Sequence, residues 1–174
     1  MKNLEITLAL ILLGSALFIA VEPNENEKDL FQVSSVETVD GDTIDVKGEI
    51  NTTVRLVGVD TPEVTGENSP REFNLTDTER NRNCLRKWGR EASSFTKDFT
   101  SSGEVTLITD SSAGKRGSYG RLLAYVETDS GQLGRKLLEK GYARVYESEF
   151  RQLQRYRNIQ STAREQGKGL WSCS

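Results

Sequence analysis

The sequence predicts a mixed α+β domain, mainly β, in which five short strands form a small barrel against three helices. Three observations carry this expectation. Runs of four to eight residues rich in β-branched side chains are separated by Asp-Gly and Gly-Glu turns. Three further stretches repeat apolar residues every three or four positions. The length, 174 residues, suits one domain with a tail and is enough to bury a core.

The elements follow in order. Val33 to Val39, Thr43 to Val46 and Thr53 to Val59 read as the first three strands; Glu104 to Thr109 and Arg121 to Thr128 read as the last two. Several short strands spaced by turns close most simply into a barrel. Between the third and fourth strands, Thr76-Asp-Thr-Glu79 reads as a capping box opening a helix. Its apolar stripe is Cys84, Trp88, Ala92, Phe95 and Phe99. A shorter helix spans Gly131 to Lys140, with Leu133, Leu137 and Leu138 inward and Gly141 as its stop. Phe150, Leu153, Tyr156, Ile159 and Ala163 mark the third.

The N-terminus stands apart from this domain. A nearly unbroken apolar run, Ile6 to Val21, is followed by a polar stretch. As a helix it would reach about 24 Å, short for a bilayer span and long for a signal core. The expected organisation is a signal peptide or N-terminal anchor at 1–21, a polar linker at 22–31 and the folded domain at 32–174. That places the protein outside the cell, secreted or held to the outer face of its membrane through residues 6–21. The only two cysteines, Cys84 and Cys173, fit an exported protein. A bond between them would pin the C-terminus and close a loop of roughly ninety residues, worth about 4 to 5 kcal/mol in the loop-entropy account. Asn51 and Asn74 lie in glycosylation sequons.

The chain has no histidine, which excludes a Ser-His-Asp relay, a Cys-His nucleophile and a His-ligated zinc site. Carboxylates and guanidinium groups are therefore the strong chemical tools, and three strings gather them. They are Asp40-Gly-Asp42-Thr43, then Arg55-Leu-Val-Gly-Val-Asp60-Thr61-Pro-Glu63, then Tyr119-Gly-Arg121. Carboxylates hold a hard cation or take a proton, and arginines neutralise a phosphate, so the set points to phosphodiester chemistry. Asp42 follows a tight turn and Asp60 ends an apolar strand, which places both acids at the barrel rim. Arg55 lies five positions before Asp60, so strict alternation sends it to the opposite face unless Gly58 makes a bulge.

The total charge, 23 basic against 26 acidic residues, argues against tight nonspecific duplex binding. The distribution is uneven, however. From Lys115 to Lys168 there are twelve basic residues and six acidic ones.

The three strings, in this order, resemble the thermonuclease, or staphylococcal nuclease-like, family. The resemblance runs from about Val33 to Trp171 and takes in Gly89-Arg-Glu-Ala-Ser-Ser-Phe-Thr, Leu137-Leu-Glu-Lys-Gly-Tyr-Ala-Arg-Val and Gly169-Leu-Trp171. It implies a five-stranded OB-fold barrel with three helices and a Ca²⁺-dependent nuclease acting on DNA and RNA. It further implies that Asp42 and Asp60 ligate the metal through side chains and Thr61 through its carbonyl, with Asp40 as a supporting acid. Glu63 would position or deprotonate the attacking water, and Arg55 and Arg121 would grip the phosphate, leaving 3′-phosphate ends.

The chain departs from the family in three places. The segment between Glu63 and Trp88 is longer, the family's pair of pocket tyrosines has no clean match after Val145, and Ser118 stands where the family has a lysine before Tyr-Gly-Arg. Lys115 or Arg116 is then the expected substitute phosphate contact. Tyr119 and Tyr146 complete the expected substrate-binding set, with Tyr146 stacking on a base. No obligate protein partner is implied. The alternative is a catalytically inactive OB-fold module that binds nucleic acid or protein.

Overall fold

The computed structural model describes residues 28–66 and 68–173. The expected signal or anchor segment and most of the linker lie outside the described residues. Among those described, no helix is long and apolar enough to cross a membrane.

Five strands close into a barrel: β1 (Leu30–Thr38), β2 (Thr43–Gly48), β3 (Thr52–Leu56), β5 (Val105–Thr109) and β6 (Leu122–Thr128). Antiparallel pairing runs β3-β2-β1-β5-β6, and a parallel seam between β3 and β6 joins the ends. Closure leaves these strands no free edge. Side chains alternate along each strand, and the inward set includes Ile44, Val46, Val54, Leu56, Leu107 and Leu122. Strand β1 begins two residues before the expected domain boundary. Leu30 and Phe31 pair with Ile108 and Leu107, and the Asp29 carbonyl accepts from Thr109 N–H, so the end of the polar linker belongs to the barrel.

Three helices cover the barrel: α1 (Glu79–Ser101), α2 (Leu133–Lys140) and α3 (Leu153–Glu165). The expected capping box is displaced by two residues. Thr78, not Thr76, has the extended backbone of an N-cap, and its hydroxyl accepts from Asn81 N–H. Thr76 instead offers its carbonyl to Asn81 Nδ2. The deep face of α1 is also rotated from the expected stripe. Leu85, Gly89, Ala92, Thr96 and Phe99 are buried, whereas Cys84, Trp88 and Phe95 lie at the margin. Gly131 and Gln132 precede α2 as a short strand, β7, paired with the end of β6.

The third expected strand is broken. After Leu56 the chain turns at Val57-Gly58 and resumes as a two-residue strand, β4 (Val59–Asp60), which pairs with β8 (Arg144–Val145) rather than with the barrel. Gly58 has φ of 72°, and a Cβ there would lie 2.3 Å from the Phe150 ring. Only glycine accommodates both the left-handed turn and the ring.

A second, smaller apolar cluster joins the long segment before α1 to the C-terminus. Phe73, Leu85 and Leu170 form its buried centre, flanked by Leu75, Trp88 and Trp171. The Cys84–Cys173 disulfide lies in the same region and spans 89 residues of sequence.

Asp110 ties the end of β5 to its surroundings. Its carboxylate accepts from Tyr125 Oη at 2.5 Å, Arg151 N–H at 2.8 Å and Ser112 N–H at 3.0 Å. Burial alone would raise its pKa, but these donors outweigh burial and hold it below the ordinary value, while Tyr125 is pushed up. A depressed carboxylate stabilises the fold at neutral pH and loses that contribution as pH falls through its folded value. Asp110→Asn is therefore predicted to lower unfolding stability by about 2–3 kcal/mol at pH 7. In urea titrations at several pH values, the gap between variant and parent should narrow below about pH 4.

Candidate active site

The sheet register places the first two functional side chains. In the β2–β3 pair Thr43 lies opposite Arg55, so Asp42, one residue earlier, sits beside Arg55 at the barrel rim. Gly41 makes this turn compact: a Cβ there would lie 2.7 Å from Ala92 Cβ and 2.8 Å from Thr61 Oγ1. Thr96 of α1 donates to the Gly41 carbonyl at 2.6 Å. Asp40 Oδ1 accepts from Asp42 N–H at 3.0 Å, which shapes the turn from within.

Asp42 is 2% exposed. Its carboxylate accepts from Thr61 N–H at 2.7 Å, Thr61 Oγ1 at 3.1 Å and Thr43 Oγ1 at 3.1 Å, and it forms an ion pair with Arg55. Arg55 also reaches Asp60 at 2.6 Å. Five positions apart, these two would face opposite ways on a continuous strand, and the break at Gly58 brings them together. The Arg55 guanidinium thus bridges two carboxylates. Asp60 carries a second cation, Arg144, at 2.7 Å. The two residues are directly opposed in the β4–β8 pair.

The β3–β6 seam places the other arginine. Arg55 pairs with Leu123, and Arg121 lies two residues before Leu123 and so projects from the same outer face. Arg55, Arg121, Leu123 and Tyr146 line one cavity of about 220 Å³, closed on another side by Ala113, Gly117 and Ser118. The Arg121 Nε is buried with no hydrogen-bond partner, and its guanidinium lies 5.7 Å from the Tyr119 ring.

Glu63 lies on the far side of Asp60. With Asp60, Thr61, Asn68, Ser69, Glu72 and Phe73 it lines a second hollow of about 220 Å³. Glu63 is exposed as a residue, but partial desolvation of its carboxyl pushes it up from the ordinary value, and the charges of Asp40 and Asp60 push in the same direction against Arg55 and Arg121. Asp40 is raised as well, chiefly by burial, with Arg55 opposing.

Not every expected residue joins this group. Lys115 is exposed and paired with Asp29 at 2.9 Å, and Arg116 donates to the Gly120 carbonyl at 2.5 Å. Neither lines the cavity, because the loop folds back on itself through the Arg116–Leu122 bridge. Tyr119 is 95% exposed, at the rim and not inside; Tyr146 is 52% exposed, on the wall.

Three residues of the site had no expected role: Arg144, Glu72 and Asn68. Arg144 also reaches Glu72 at 3.4 Å and lies over the Phe73 ring at 5.3 Å. Arg144 falls within the Leu137–Val145 string of the family resemblance, but nothing there assigned it a role, and a two-residue strand is too short to stand out.

Among the described residues, no three His, Cys, Asp or Glu side chains gather closely enough to hold a metal by themselves. The local donor set is two carboxylates, Asp42 and Asp60, with the Thr61 carbonyl available from the same turn. It contains oxygen alone, and both acids already face one positive centre, the Arg55 guanidinium. That chemistry fits a hard divalent cation.

Comparison with known proteins agrees with this geometry. The family model described as staphylococcal nuclease homologue matches residues 53–173. The chain belongs to this family. Endonuclease YncB of Bacillus subtilis is 34% identical over 156 residues, covering 87% of this chain and 66% of its own length. The thermonuclease of Staphylococcus hyicus is 33% identical over 140 residues, covering 79% of this chain and 73% of its own. An uncharacterised protein of Methanocaldococcus jannaschii is 37% identical over 151 residues, covering 80% and 70%. Membership of the staphylococcal nuclease family fits the closed five-stranded barrel and its three helices.

A cation bound at Asp60 would have to compete with Arg144. Arg144→Met keeps an aliphatic stem over Phe73 and removes the charge. It is predicted to tighten divalent-cation binding roughly three- to tenfold by calorimetry, since an ion pair that keeps some contact with water is worth about 1 kcal/mol.

Proposed function

We propose that the protein is a Ca²⁺-dependent nuclease that hydrolyses phosphodiester bonds of DNA and RNA, preferring single-stranded or loosened substrate and leaving 3′-phosphate ends. One observation carries the reading: Arg55 bridges Asp42 and Asp60 while sharing a cavity wall with Arg121, and Glu63 lies just beyond Asp60. The names of the YncB and S. hyicus relatives support it.

Asp42, Asp60 and the Thr61 carbonyl would hold the ion, which when bound supplies Lewis-acid polarisation of the phosphoryl oxygen. Arg55 and Arg121 donate hydrogen bonds to the phosphoryl oxygens where negative charge develops in the transition state. Glu63 orients the attacking water and accepts its proton. The water oxygen bonds to phosphorus, the bond to the 5′-oxygen breaks beside Arg121, that oxygen takes a proton from solvent water to become the 5′-hydroxyl, and the phosphate stays on the 3′ side. Tyr146 offers a face to a base, a stacking contact worth about 1–3 kcal/mol.

The same reading takes the protein to be exported, secreted or held at the outer face by residues 6–21. The apolar N-terminal run and the Cys84–Cys173 bond support this.

Digestion of single-stranded DNA and RNA by the full chain tests the reading. Ca²⁺ should activate and EDTA abolish cleavage. Arg121→Ala and Glu63→Gln should each lower kcat by about 10²- to 10⁴-fold without loss of fold. Activity indifferent to chelation would overturn the cation assignment, and full activity in either variant would overturn that side chain's role. A folded parent with no activity would favour the silent binding module.

A further inference from the structure

Glu63 sits in a turn, outside any strand or helix, yet a proton acceptor is useful only if it is held still. Two neighbours fix its backbone. Asn68 closes both polar groups of the residue: Glu63 N–H donates to Asn68 Oδ1 at 2.8 Å, and Asn68 Nδ2 donates to the Glu63 carbonyl at 2.9 Å. The amide side chain thus imitates one rung of a β-ladder. Asn68 is 5% exposed, so water competes little for these bonds.

The opposite side of the same backbone rests on α1 at Gly89. A Cβ there would lie 2.4 Å from the Pro62 carbonyl oxygen and 3.0 Å from that of Glu63. The turn reaches the helix only because that side chain is missing. The chain beyond Asn68 is anchored in turn. Phe73 is buried with Leu85 and Leu170, Glu72 reaches Arg144, and α1 is bonded through Cys84 to Cys173.

We infer that Asn68 is a positioning residue for Glu63, and that the chain from Asn68 to α1 is a cradle that locks the acid's backbone from one side while Gly89 seats it from the other. The inference rests on the nuclease reading, in which Glu63 handles the attacking water. Asn68 makes its side-chain hydrogen bonds to the Glu63 backbone and none to Asp42 or Asp60, so the most direct route of its effect on the site is through Glu63.

A double-mutant cycle on the full chain tests it, with Asn68→Ala, Glu63→Gln and their combination measured for kcat, KM, Ca²⁺ affinity and Tm. Asn68→Ala is expected to lower kcat about ten- to a hundredfold, as a displacement near 1 Å does. KM and Ca²⁺ affinity should stay within about twofold of the parent, because the binding groups are untouched. In the Glu63→Gln background the same change should have no further effect on residual activity. Gly89→Ala, which pushes the turn from the helix side while favouring the helix itself, should reproduce the kcat loss and its disappearance in that background.

Additive losses in the cycle, parental kcat in Asn68→Ala, or a kcat loss that only follows a fall in Tm would overturn the inference and leave the nuclease reading standing. Full activity in Glu63→Gln would overturn the inference together with the role given to Glu63, and leave nuclease activity itself standing.

Discussion

The Asp42 carboxylate is almost wholly removed from water, and that burial constrains the site around it. A buried charge is tolerated only when hydrogen bonds and an opposite charge replace its hydration. Thr61 N–H, the Thr61 and Thr43 hydroxyls and the Arg55 guanidinium do so here. Each partner comes from a different turn of the sequence: Thr43 opens β2, Arg55 lies in β3 and Thr61 follows β4. Satisfying one carboxylate therefore fixes the relative positions of three segments. Those segments carry Asp60 and Glu63 with them.

Helix α1 is the platform for these turns. Along its buried face the residues are small where the turns touch it. Gly89 meets the Pro62–Glu63 backbone, Ala92 meets Gly41, and Thr96 donates to the Gly41 carbonyl. A larger side chain at Gly89 or Ala92 would lift one acid-bearing turn away from the other. The same helix is bonded through Cys84 to the C-terminus, so core packing, the disulfide and the site are parts of one mechanical unit.

Much of this was legible in the sequence, because barrels and helices are written in periods of two and of three to four. The five barrel strands and three helices lie where those periods put them, within a few residues at the ends. The site strings were legible because Asp42, Arg55, Asp60 and Arg121 sit at turns and strand ends marked by glycine and proline. What was not legible depended on contacts distant in sequence. The deep face of α1 is set by small residues receiving turns, and a stripe of large apolar side chains does not reveal it. Arg144 finds Asp60 through a strand pair of two residues, below any periodic signal. Asn68 acts through its side-chain amide from a segment without period. Lys115 and Arg116 had the right charge and sequence position, but the loop's own backbone pairing turns them to other partners.

The account stands on two carboxylates facing a single positive centre, held by Arg55 in this structure and, in the proposed function, by a divalent ion. Crystals soaked in Mn²⁺, an anomalous scatterer that takes the same oxygen ligands, test this directly. The account predicts one strong anomalous peak bounded by Asp42, Asp60 and the Thr61 carbonyl, with the Arg55 guanidinium withdrawn from between the acids. A peak elsewhere, or none while Arg55 still bridges Asp42 and Asp60, would contradict it.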